Sequence, residues 1–105
     1  MKKGIIALFL LATMAFGGQA FAHTPLCDCF DNGDGTVSCE GGFSDGSSAS
    51  GVTMRVQDGS GNVVTEGKMN EYSEFMFDKP EGEYKVVFDA GEGHTVEVNG
   101  SDIVE

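Results

Sequence analysis

The sequence predicts an all-β sandwich, and three observations carry that prediction. Past residue 22 no apolar period of 3.6 is present, whereas apolar and polar residues alternate repeatedly. Clusters of Gly, Asn, Asp and Ser interrupt the alternation at turn-like positions. The alternating runs number about seven and recur every 8 to 12 residues or so, the spacing of short strands in a two-sheet sandwich.

The elements follow in chain order. A first extended piece runs from Leu26 to Phe30, and DNGDG (residues 31–35) is a hairpin turn signal. TVSCEGGF then puts Val37, Cys39, Gly41 and Phe43 on one face. SDGSSASG (residues 44–51) is a polar loop. VTMRVQ sets Val52, Met54 and Val56 against Thr53, Arg55 and Gln57. DGSGN turns the chain into VVTEGK, and MNEYS turns it again into EFMFD, with Phe75 and Phe77 inward. Pro80 in KPEGE stops strand pairing there. YKVVFD offers Tyr84, Val86 and Phe88, AGEG breaks the chain, and HTVEVN closes with Val96 and Val98 inward. The expected core is Val37, Phe43, Val52, Met54, Val56, Phe75, Phe77, Tyr84, Val86, Phe88, Val96 and Val98. Residues 100–105 have no assigned state.

The first 22 residues read as a cleaved signal peptide. Lys2 and Lys3 precede an apolar stretch from Ile5 to Phe16 that is shorter than a membrane span of about 20 residues. Ala20-Phe21-Ala22 then has the small-x-small form of a signal peptidase site. Removing the first 22 of 105 residues leaves 83, one small domain (23–105) that begins at His23. The expected location is the periplasm, reached through the Sec route.

The leader takes two of the six basic residues and none of the 17 acidic ones, so the formal charge moves from −11 to −13. Such a field repels nucleic acid and anionic lipid, and neither is an expected partner. Three cysteines remain, and in an oxidising compartment an odd number means one disulfide plus a free thiol, an intermolecular bridge, or a metal site.

No enzyme is expected. H-E-x-x-H and the P-loop are absent, and no carboxylate lies in an apolar run that would raise its pKa for acid–base work. DNGDG resembles the start of a calcium loop. The twelfth position from Asp28 or Asp31 is Cys39 or Gly42, not glutamate, and the hairpin reading prevails.

The candidate metal residues are His23 and His94, with Cys27 and Cys29 beside them. A terminal His23 presents its α-amine and Nδ1 as a bidentate chelate, and the amine has a reference pKa near 8. Such nitrogens suit nickel, cobalt and copper. Cys27 and Cys29 share one face of a strand. A turn centred on Gly33 sets Cys27 opposite Cys39, and one centred on Asp34 sets Cys29 there, so Cys39 is expected to pair with Cys27 or Cys29. Met69 and Met76 are soft sulfur donors in principle, but the methionines have no repeat spacing. His94 has the parity of Val96 and Val98.

The stretch from GGFSDGSS to GHTVEV resembles the small periplasmic component that accompanies nickel and cobalt energy-coupling-factor transporters. The matching pieces are His23, FSDG (43–46), VQDGSG (56–61), Gly67, Glu71, Phe75, Phe77 and DAGEGH (89–94). The resemblance implies a seven-stranded immunoglobulin-like, or prealbumin- and carboxypeptidase-regulatory-like, sandwich. It implies a membrane-embedded transporter permease as partner, Ni2+ or Co2+ as the bound ion, and His23 and His94 as contacts. Two departures stand out. Asn70 and Ser73 replace the family's turn aspartate and glycine, and Ser73 fits a positive-φ position poorly. The cysteines are additions. The alternatives are an interaction module that binds no metal and a periplasmic copper carrier.

Overall fold

The computed structural model describes residues 24–105. The predicted leader, residues 1–22, and His23 lie outside the described residues. Seven strands follow one another: β1 (Pro25–Asp31), β2 (Thr36–Phe43), β3 (Thr53–Asp58), β4 (Val63–Lys68), β5 (Glu74–Asp78), β6 (Tyr84–Asp89) and β7 (Thr95–Asn99). They form two antiparallel sheets, β1-β2-β5 and β4-β3-β6-β7, stacked as a sandwich.

The alternation in the sequence explains the two faces. Met54 and Val56 of β3, Val86 and Phe88 of β6, and Val37 and Cys39 of β2 all point between the sheets and are fully buried. Phe43, Val52, Phe75, Val96 and Val98 pack around them with part of each side chain still exposed. Five buried residues lie outside the expected core: Cys39, Ala49, Met69, Val87 and Ile103. Val87 points to the outer face, where its cross-strand neighbours are Arg55 and Glu97. Those two are held over it by ion pairs, Arg55 to Asp89 at 2.7 Å and Lys85 to Glu97 at 3.2 Å. A central strand buried on both faces loses the strict alternation.

Two of the close approaches that glycines admit lie between the sheets. A Cβ on Gly67 would lie 2.7 Å from Cε1 of Phe75, and one on Gly41 would lie 2.7 Å from both Met69 Sδ and Phe88 Cε2. The bare backbone lets the facing sheet come down onto these strands.

The tail also has a defined state. Gly100–Asp102 form a single 3₁₀ turn. Beyond it Ile103 is buried, and the Val104 carbonyl accepts the Asp31 amide at 3.0 Å. The tail thus fastens the end of β1, which runs alongside β7 across the sandwich edge.

The antiparallel ladders sort the connections into two ends. The β1–β2 and β3–β4 turns, the β5–β6 connection and the tail gather at one. The start of β1, the loop after β2 and the β4–β5 and β6–β7 turns gather at the other.

Candidate metal centre

The sulfur cluster starts from the register of the first hairpin. Asp31 and Asp34 build the turn. The Asp31 carboxylate accepts the Gly33 amide at 2.8 Å, and that of Asp34 accepts the Thr36 amide at 3.0 Å. The Asn32 amide donates to the Thr36 carbonyl at 3.0 Å. These bonds centre the turn on Asp34 and set Cys29 opposite Cys39. Their Cα atoms are 4.0 Å apart, and the two are joined as a disulfide. Of the two open pairings the structure takes Cys29–Cys39, and Cys27 keeps a free thiol.

Cys27 stays on the same inward face, two residues along. The three sulfurs lie within 4.8 Å of one another, and among the described residues they are the one group of three metal-type ligands so close. Burial pushes the Cys27 thiol up to about 11, with the Asp28 carboxylate adding to the shift. That thiol is therefore protonated and a poor nucleophile near neutral pH.

Met69 lies on the same side of the core. Its backbone is clamped into the loop, its amide donating to the Val52 carbonyl and its carbonyl accepting from the Gly51 amide, both at 2.9 Å. It is 3% exposed, and its sulfur fills the hollow over Gly41. Gly41 is the cross-strand partner of Cys27. Met76, in contrast, is 65% exposed on the outer face, away from the core. The role of Gly41 was the site feature sequence reasoning missed. A glycine inside a strand is the signal that could have found it.

His94 occupies a second place. It sits in the β6–β7 turn, where its amide donates to the Gly91 carbonyl at 2.9 Å and its carbonyl accepts the Ala90 amide at 3.1 Å. The ring is half-buried, in keeping with its parity. Its Nδ1 is 3.1 Å from the Glu92 carbonyl. A carbonyl only accepts, so this bond requires the proton on Nδ1, and in the neutral ring that tautomer leaves the lone pair on Nε2. His94 does not join the cysteines in a single group of close ligands.

GFSDG (42–46) fits the G-x-S-x-G spelling of a nucleophile elbow. That motif requires a strand, a sharp turn and a helix. Here β2 ends at Phe43, the chain enters a turn with no helix behind it, and Ser44 Oγ accepts the Thr24 amide at 3.0 Å.

No protein-family model, curated protein or solved structure matches this chain.

Proposed function

We propose that this is a non-catalytic accessory protein of a nickel or cobalt uptake transporter. On this reading it works in the periplasm after loss of residues 1–22, in an immunoglobulin-like or carboxypeptidase-regulatory-like frame. Its partner is a membrane-embedded permease, to which it hands a divalent ion. The strand order β1-β2-β5 against β4-β3-β6-β7 supports the frame.

The observation that carries the metal reading is the environment of His94. A carbonyl holding Nδ1–H fixes the tautomer and leaves Nε2 to coordinate, the arrangement common around ligating imidazoles. β1 and β7 both start at the end of the sandwich that carries His94, on neighbouring edges. Thr24, directly after His23, therefore shares that end. The α-amine and Nδ1 of a terminal His23 close one chelate ring, and His94 Nε2 supplies a third nitrogen. Nitrogen donors favour Ni2+ and Co2+ over Ca2+ and Mg2+. The acidic surface raises the local concentration of any cation without selecting among them.

Calorimetry with Ni2+ on protein whose mass confirms a start at His23 tests this. Saturable binding is expected, lost when one residue is added before His23 and weakened by His94→Ala. Equal affinity with and without the extra residue overturns the chelate.

A further inference from the structure

The nickel or cobalt reading leaves the sulfur cluster unused. Three cysteine side chains, two of them joined as the Cys29–Cys39 disulfide, project from one face of the β1–β2 hairpin with their sulfurs mutually within 4.8 Å. A thioether, Met69 Sδ, lies 2.7 Å from where a Cβ on Gly41 would be, and Gly41 faces Cys27 across the ladder. Directly opposed Cβ positions in such a ladder are about 5 Å apart, within reach of a methionine sulfur. We infer that, once the Cys29–Cys39 bond is reduced, Cys27, Cys29, Cys39 and Met69 form a site for one monovalent thiophilic ion of the cuprous class.

Geometry and ligand chemistry both support this. A trigonal site with metal–sulfur bonds of about 2.3 Å needs sulfurs about 4 Å apart; the Cys27 sulfur lies within 4.8 Å of both bridge sulfurs, and Cys29 and Cys39, bonded to each other here, move apart to that spacing only on reduction. Thiolates with a thioether select Cu(I) over hard ions. Structural zinc takes four ligands from Cys, His and carboxylates, and this group offers three cysteines. Gly41 is essential, because any side chain there would push the Met69 sulfur out of the hollow.

The bridge acts as the gate. While Cys29 and Cys39 are bonded to each other, two of the donors are consumed. A dithiol reductant breaks the S–S bond, delivering two electrons and two protons. It leaves two thiols on the protein and a disulfide on itself. The copper enters already cuprous, so no further electron moves. Metal–sulfur bonds form as thiol protons leave to solvent. Affinity should therefore increase with pH.

The test uses the processed full-length protein, reduced with a phosphine that is then removed anaerobically, and titrated against Cu(I) held by a chromophoric chelator. The reduced protein is expected to withdraw about one equivalent and the oxidised protein none. Cys27→Ser should weaken binding by about tenfold or more, and Met69→Leu, which keeps the packing volume, by several-fold with an unchanged unfolding midpoint. His94→Ala and an extra residue before His23 should change nothing, which separates this site from the nitrogen chelate. Three results overturn the inference: equal uptake by oxidised protein, wild-type affinity in both Cys27→Ser and Met69→Leu, or a reduced chain whose β circular dichroism is lost and not restored by one equivalent of Cu(I).

Discussion

The Ser73 hydroxyl accepts the Ala49 amide at 2.9 Å, from a backbone held at φ 61°. Among the described residues Ser73 is the one non-glycine with positive φ. Its carbonyl accepts the Gly41 amide at 2.9 Å, and its hydroxyl also meets that of Ser48 at 3.0 Å. The serine therefore trades local strain for a clasp that seats fully buried Ala49 under the loop. Ser73→Ala keeps the strain and orphans the Ala49 amide, at a cost of about 1–3 kcal/mol. Ser73→Gly loses the same bond but relieves the left-handed backbone, so it should be milder by about 1 kcal/mol. Urea unfolding of the two variants checks the order.

The Cys29–Cys39 bridge spans a sequence separation of 10. Loop-closure entropy for that length predicts a loss of about 3 kcal/mol on reduction, or in a Cys29→Ser/Cys39→Ser variant. The remaining thiol should be sluggish. With the Cys27 pKa pushed up to about 11, its alkylation at pH 8 should be roughly a hundredfold slower than in the urea-unfolded chain. The rate should climb about tenfold per pH unit up to pH 10. Mass-resolved iodoacetamide labelling measures both.

Acid should unfold the protein through four aspartates. The Lys79 ammonium holds Asp31 below the ordinary carboxylate range, the Thr36 hydroxyl holds Asp34, the Asn62 amide holds Asp58, and the Arg55 guanidinium holds Asp89. Each therefore binds its proton less readily in the native state than in the unfolded chain, where the value is near 3.9. Their stabilisation is complete above that pH and is lost as pH falls through the depressed native values. Urea midpoints from pH 6 to 2 should show this fall. Asp58→Asn keeps an acceptor oxygen, so it should flatten part of the slope. Added salt should weaken the Asp31 and Asp89 ion pairs and leave the Asp34 and Asp58 turn bonds largely intact.

Gly67 is closed to any side chain. Gly67→Ala puts a Cβ 2.7 Å from Phe75 Cε1, and overpacking of this kind costs about 1–3 kcal/mol. Phe75→Leu should recover part of that loss in the double variant, although it is destabilising alone. A double-mutant cycle with no coupling between the two would contradict the contact.

Much of the architecture was legible in the residues. TVSCEGGF, VVTEGK, EFMFD and YKVVFD are strands with the bounds expected of them, because each is alternating or apolar and is closed off by turn residues on both sides. β1 extends one residue past each expected end, β3 lies one residue later, and β7 starts at Thr95, since His94 belongs to the turn. The parity that placed Cys27 and Cys29 on one face is equally firm, as a period of two follows from the pleat.

Sequence by itself thus determined the strand set, the inward faces and the presence of a cysteine pair able to bridge to Cys39. Tertiary structure decided which pair and what surrounds it. The two hairpin registers differ by two residues, so both keep every side chain on its own face, and patterning cannot separate them. The hydrogen bonds of Asp31 and Asp34 within the turn accompany the register centred on Asp34. Ala49, Met69 and Ile103 lie in loop or tail segments with no period. Their burial depends on which neighbours the folded sheets bring over them, and that is how the thioether of Met69 reaches Gly41 beside three cysteines.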